Sequence, residues 1–215
     1  MIKSTKSTLT FSNKNKLNTL DLFLSEYKRV ITLFVDLLWE QDKISSLLPK
    51  EITSQVDTWL SARIIQCAGK QASGIVRGTR TKQKKRLYII KKLNKEGKYK
   101  KARKLKAIYD ETKVSKPSIN NVEAELDSRF VKIDLDNKTT FDGWITLTSL
   151  GNKLSIKLPF KKHKHFIKML EKGSIKGGIR ISSTTCTFMF ELPEPIVKTE
   201  GNILGIDVGQ KTTLS

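Results

Sequence analysis

The chain has 215 residues, of which 38% are hydrophobic, and its 41 Lys+Arg against 21 Asp+Glu give a formal net charge of +20. A surface that basic makes polyanions the natural partners, with nucleic acid first and an anionic membrane surface second. No apolar run approaches the ~18 residues of a membrane span. The start Met1-Ile2-Lys3-Ser4-Thr5-Lys6 lacks the apolar segment of a signal peptide. Cys67 and Cys186 form no pair motif, which points to a reducing, cytoplasmic compartment and excludes a cysteine-based zinc ribbon within this chain.

Lys6 to Phe11 alternates, with Leu9 and Phe11 on one side, and predicts a short strand whose partners come from elsewhere. A helix follows, because Leu20, Leu24, Tyr27, Ile31, Phe34 and Leu38 are spaced 4-3-4-3-4. Asn18 or Thr19 is its expected cap, which sets Asp21 and Glu26 towards the positive end of its dipole. After Pro49, the residues Ile52, Val56, Trp59 or Leu60, Ile64 and Cys67 predict a second helix over roughly 52–72. Its small residues Ala62, Ala68, Gly69 and Ala72 allow close packing on the first helix. Trp39 and Trp59 are read as core.

From Arg77 to Lys106 the composition changes. Arg77, Arg80, Lys82, Lys84, Lys85, Arg86, Lys91, Lys92, Lys95, Lys98, Lys100, Lys101, Arg103, Lys104 and Lys106 face a single acid, Glu96. An ordinary solvated face mixes signs and gains from i,i+4 pairs, whereas like charges at that spacing repel. The repulsion is relieved when phosphates bind and condensed counterions are released. Leu87, Ile90, Leu93, Leu105 and Ile108 keep one apolar helical face, and Gly97 divides the segment into two helices. Tyr88, Tyr99 and Tyr109 are placed either to stack on bases or to donate to phosphates.

Lys116-Pro117-Ser118 ends the helical part, and alternating runs follow. They are Val131/Ile133/Leu135, Ile145/Leu147, Leu154/Ile156/Leu158, Ile179/Ile181 and Phe188/Phe190/Leu192, with Gly151-Asn152 as a hairpin turn. So many short antiparallel strands predict a small barrel or a strongly twisted sheet. Lys161 to Lys172 reads as a short basic helix with Phe166, Ile167 and Leu170 inward, stopped at Gly173. Within it, Lys161, Lys162 and Lys164 surround His163 and His165, a setting suited to phosphate contact or plain solvent exposure rather than zinc.

Beyond a Pro193–Gly201 linker, Ile203, Leu204 and Ile206 read as a strand that Asp207 interrupts. A buried carboxylate is costly unless it is hydrogen-bonded, paired or metal-bound, and Gly209 lets the backbone turn or approach a ligand. Metal, phosphate and an ordinary turn aspartate all fit this spacing.

The order of parts, ending in Gly205-Ile206-Asp207-Val208-Gly209-Gln210-Lys211, resembles the N-terminal half of the transposon-encoded TnpB proteins and their relatives, the small type V CRISPR effectors. The stretch Ile156-Lys157-Leu158-Pro159-Phe160-Lys161, its basic helix and Ile175-Lys176-Gly177-Gly178 also look like that family. The resemblance covers the whole chain in organisation and is specific in residues from about Leu154 onward. It implies an α+β fold in which a helical recognition lobe is inserted in a small antiparallel wedge-like β-barrel. The first strand of an RNase H-like RuvC domain then follows. The implied division is 1–12 for the first wedge strand, 13–118 for the basic recognition lobe, 119–195 for the wedge barrel and 196–215 for the linker and RuvC start.

The resemblance also implies an RNA-guided DNA endonuclease of a bacterial or archaeal cell, with a guide RNA and target double-stranded DNA as partners and no membrane. Asp207 matches the first catalytic acid, a ligand in a two-Mg2+ site. The family's glutamate and second aspartate normally come from later segments, so these 215 residues alone are expected not to cut DNA. The alternative is a guide-RNA-dependent DNA binder without cleavage, such as a repressor or a truncated copy. A basic RNA-binding protein with no guided function is a blander reading. Gly-Ile-Asp-Val-Gly followed by Thr also resembles the first phosphate loop of sugar kinases and actin-like ATPases, which makes a phosphotransferase a further reading.

Overall fold

The structure, a computed structural model, describes residues 1–112, 115–135 and 139–194. The first strand, β1 (Ile2–Thr8), lies earlier than the alternation suggested. Thr5 and Ser7 face inward and Leu9 is buried just past the strand, whereas Phe11 is 43% exposed. Polar side chains therefore occupy β1's inward face, and sequence alternation of apolar residues could not register it.

The first helix, α1 (Lys14–Trp39), is capped by Asn13, whose side chain accepts from Lys16 N at 3.0 Å. The helix therefore starts a turn before the expected cap, and its first turn holds no acid. Asp21 and Glu26 lie in its interior, too far from the end for the dipole to matter. Leu20, Phe23, Tyr27, Val30, Ile31, Phe34, Val35 and Leu38 form the buried stripe.

The expected second helix is divided. α2 (Lys50–Thr53) is a single turn, and α3 (Ala62–Lys95) begins at Ser61, whose hydroxyl accepts from Ile64 N. The intervening linker is held by α1. Arg29 pairs with Glu26 at 2.7 Å and donates to the Asp57 carbonyl at 2.6 Å, while Thr58 donates to Glu26. These bonds satisfy linker polar groups that a continuous helix would otherwise satisfy internally. Ile64, Ala68, Gly69, Ala72 and Val76 then pack α3 onto the helical core. The small residues do allow the close approach expected of them, except Ala62, which is exposed. Trp39 and Trp59 are half-buried at the edge of that core.

α3 does not stop at residue 72 but runs on through the basic segment. Its 34 residues span about 50 Å. Val76 is its last residue in the main core. Gly97, at φ +71°, reverses the chain into α4 (Tyr99–Thr112), and Ile90 and Ala102 are buried at that hairpin.

The β part forms two antiparallel sheets. One has the order β1-β7-β6-β2, with β2 (Ala124–Leu126), β6 (Ser174–Ile181) and β7 (Thr185–Glu191). The other is β3-β4-β5, with β3 (Val131–Asp134), β4 (Gly143–Leu147) and β5 (Ile156–Phe160). Neither sheet closes among the described residues, so the expected barrel is two open sheets. The paired edges are ordinary, but no described strand bridges one sheet to the other; their inward faces meet through side chains. Phe160 lies 4.8 Å from Phe188, and Phe166 lies 5.1 and 5.2 Å from Phe188 and Phe190.

Phe166 comes from α5 (Lys164–Lys172), where Phe166 is buried and Leu170 half-buried as expected, while Met169 takes the inward place expected of Ile167, which is exposed. Gly173 ends α5 in extended backbone rather than in a left-handed cap. Tyr27, Gln71 and β2 join the helical layer to the first sheet. The Tyr27 hydroxyl donates to Gln71 Oε1 at 3.0 Å, and Gln71 Nε2 donates to the Glu123 carbonyl at 2.8 Å.

Candidate nucleic-acid interface

The basic segment becomes one surface because it is helical. A seven-residue spacing returns to nearly the same side of a helix every ~10 Å, so Arg77, Lys84 and Lys91 align along α3. Arg77, Lys82, Lys84, Lys85, Lys91 and Lys92 are all exposed, and Arg86 is half-buried. Lys82, Lys84, Lys85 and Lys91 form no ion pair among the described residues. The single acid of the segment, Glu96, sits at the hairpin turn, where Lys98 at 2.8 Å and Lys92 at 3.9 Å approach it. The Lys98 hydrogen bond and charge hold its carboxyl below the usual range. Tyr88 and Tyr99 are 68% and 66% exposed, on an arm rich in exposed cations.

Arg80 differs from the other predicted contacts. Its guanidinium donates to the carbonyls of Trp39 at 2.7 Å, Gln41 at 2.5 Å and Asp42 at 3.2 Å. It also lies 5.5 Å from the Trp39 ring centroid. Arg80 therefore satisfies carbonyls at and just past the end of α1, a structural role beside the nucleic-acid contact expected of it. A sequence shows only the charge; the loop that returns to meet it comes from the fold.

The second predicted cluster lies at the start of α5. Lys161 and Lys164 are exposed, and Lys162 is half-buried with its backbone N–H donated to Asp142 at 2.8 Å. His163 caps α5 by accepting from Phe166 N, and its Nε2 lies 3.0 Å from Thr5 Oγ1. That imidazole ties α5 to β1, a use the sequence reading did not weigh.

Lys161 exposes a feature that the sequence reading missed. Its ammonium lies 5.3 Å from the Phe11 ring centroid. Phe11 neighbours Phe141 at 6.1 Å, and Phe141 meets Trp144 edge-on at 5.4 Å. Lys157 and Lys16 lie 4.9 and 5.7 Å from the Trp144 centroid. The available signal was Trp144 standing at an outward position between the inward Gly143 and Ile145 of an alternating strand.

Asp207, the predicted catalytic acid and metal ligand, lies outside the described residues. Among the described residues, no group of three or more His, Cys, Asp and Glu side chains gathers to hold a metal ion, and no helix is long and apolar enough to cross a membrane. No protein-family model matches the chain, and no curated protein matches its sequence.

Proposed function

We propose that this chain is the nucleic-acid-binding portion of an RNA-guided DNA endonuclease of the TnpB type. The observation that carries the reading is the α3–α4 hairpin, a helical arm rich in exposed cations, with Glu96 at its turn and Asp110 and Glu111 near the end of α4 as its acids. A helix studded with like charges is poorly stabilised by its own surface and well stabilised by a phosphate backbone. In this reading Arg77, Lys82, Lys84, Lys85, Arg86, Lys91 and Lys92 hold guide RNA or its hybrid with target DNA, and Lys161, Lys162 and Lys164 hold a further stretch of backbone. Base pairing with the RNA reads the target, while the protein reads backbone shape and a short adjacent duplex motif.

Asp207 is the residue proposed to carry chemistry in the complete nuclease domain. Two magnesium ions bound there would activate water and stabilise the leaving oxygen. One carboxylate does not hold two ions, so the cutting site needs acids additional to Asp207.

The test is reconstitution with one structured RNA and matched double-stranded DNA, with and without magnesium. Selective retention of one RNA and RNA-dependent capture of matched DNA are expected. Capture without cleavage in magnesium would favour the binding-only alternative for this chain. Equal affinity for unrelated RNAs would overturn guided recognition and leave a general RNA binder.

A further inference from the structure

We propose that Phe11, Phe141 and Trp144, with Lys16, Lys157 and Lys161 over their rings, form a stacking platform for unpaired nucleotides. The ligand is single-stranded nucleic acid, RNA or DNA, held by base stacking on the rings and by phosphate contacts to the lysines. This goes beyond the arm reading, because these residues belong to the β3-β4-β5 sheet, the first turn of α1 and the β1–α1, β3–β4 and β5–α5 connections rather than to the hairpin.

The register of the sheet sets Trp144 outside. Gly143 and Ile145 are buried, whereas Trp144 between them is only half-buried. Its neighbours across β5 are Pro159 and, one pair along, Lys157 beside Thr146. The indole is oriented at its polar edge, where Nε1 donates to Thr139 Oγ1 at 3.3 Å. Phe141 holds it edge-on, and Phe11 extends the aromatic surface with 43% of its area exposed. Phe141 and Trp144 are half-buried, so part of each ring faces solvent beside the more open Phe11. Their arrangement, rings interleaved with ammonium groups, has the chemistry of single-strand binding grooves.

The lysines do not block the rings. An exposed cation–π contact corresponds to roughly a two- to fivefold preference, whereas stacking a base on an aromatic ring corresponds to about fivefold to a hundredfold. A base therefore displaces an ammonium from the ring, and the released ammonium is already within reach of the flanking phosphate. Two carboxylates border the patch. Asp142 accepts the Lys162 N–H, and Asp134 is the register partner of Trp144 on β3. With Lys16, Lys132, Lys157, Lys161 and Lys162 around them, the patch remains cationic.

The experiment uses the full chain and dye-labelled ten-nucleotide oligo(dT), oligo(U) and an abasic oligomer of the same phosphate count, read by fluorescence anisotropy. Trp144→Leu is expected to weaken oligo(dT) and oligo(U) binding by about fivefold to a hundredfold and to leave the abasic oligomer unchanged. The ratio of the two oligonucleotide affinities tells RNA from DNA as the preferred source. Lys157→Gln is expected to weaken all three ligands. In a Trp39→Phe/Trp59→Phe background, oligonucleotide should quench the emission of Trp144, and the abasic oligomer should not.

Oligonucleotide affinities within twofold of wild type in Trp144→Leu, or an equal loss on the abasic oligomer, would overturn the platform. Anionic vesicle binding abolished by Trp144→Leu, with oligonucleotides unaffected, would replace it with a lipid surface. Lys84→Gln/Lys85→Gln/Lys91→Gln tests the arm separately. Loss of structured-RNA binding there, with the Trp144 effect absent, sinks the platform alone; the reverse pattern sinks the arm reading alone.

Discussion

Arg80 on α3 and Trp39 at the end of α1 are joined twice, by a 2.7 Å hydrogen bond to the Trp39 carbonyl and by the guanidinium lying 5.5 Å from the indole centroid. The same guanidinium reaches the Gln41 carbonyl. Arg80→Ala is expected to destabilise the fold by about 1–3 kcal/mol, because it strips a charged donor from helix-end carbonyls. Arg80→Lys should recover only part of this, since an ammonium lacks the planar fork. Lys84→Gln, one turn along the same helix, should stay within about 0.5 kcal/mol of wild type. Urea unfolding of the three variants checks the distinction.

The exposed lysines of the arm should act through salt. Each phosphate contact removed lowers the slope of log K against log salt by about 0.9 on duplex DNA. Replacing Lys82, Lys84, Lys85 and Lys91 together by Gln is expected to flatten that slope by up to about 3.6 while leaving the unfolding midpoint nearly unchanged. Affinities measured across a salt series supply both numbers. An unchanged slope would remove these four side chains from the interface.

Gly151 clips the β4–β5 connection to the start of α3. The Ser61 N–H donates to the Leu150 carbonyl at 2.9 Å, and the Ser61 hydroxyl donates to the Ser149 carbonyl at 2.7 Å. Gly151 has φ +137°, and a Cβ there would stand 2.9 Å from Leu60 Cα. Gly151→Ala combines left-handed strain with a backbone clash and is expected to cost about 1–3 kcal/mol or more. Gly74→Ala, which meets open space on a helix, should instead be neutral or slightly stabilising. Thermal melts of the two variants make the comparison.

Asp127 sits against Arg129, whose guanidinium bonds hold the Asp127 carboxyl down to about 2. Its unfolded value is about 3.9. A depressed carboxyl adds stability above the unfolded value, and that stability is lost as pH falls through the folded one. The advantage of wild type over Asp127→Asn should therefore be present at pH 5–7 and vanish between about pH 4 and pH 2. Both partners are 40% or more exposed, so the advantage should stay within about 1 kcal/mol. Chemical denaturation at stepped pH measures it.

Cys67 lies on the other side of that carboxylate, its Sγ 3.5 Å from Asp127 Oδ2. Burial first, and the Asp127 charge second, push the thiol up to about 11. The thiolate is the nucleophile, so alkylation by iodoacetamide at pH 8 should be slow and should speed up in Asp127→Asn. Mass spectrometry of the Cys67 peptide over time provides the rates.

The helices were legible because their apolar residues repeat with the helical period over long stretches. Leu20, Tyr27, Ile31, Phe34 and Leu38 could lie on one face of nothing else. The 54–61 linker was not legible, because Val56 and Leu60 keep helical spacing although Arg29 and Glu26 hold their segment out of helix. β1 was misregistered because its inward residues are Thr5 and Ser7. The cationic arm could be read as charge, yet the role of Arg80 depended on a loop forty residues away in sequence. The rings of Phe11, Phe141 and Trp144 come from two distant segments joined to different sheets, and only side-chain packing in the folded chain brings them together.

Thr8 pairs with Thr185, and the Met1 ammonium donates to the Leu192 carbonyl at 2.7 Å. β1 thus finds its neighbour 177 residues later (185 − 8), after a delay of roughly 10–35 s at ordinary synthesis rates. During that interval α1 and α3 can already bury their shared core, since their contacts are closer in sequence. A fusion placed ahead of Met1 would hang beside the outgoing end of β7, at the Leu192 carbonyl.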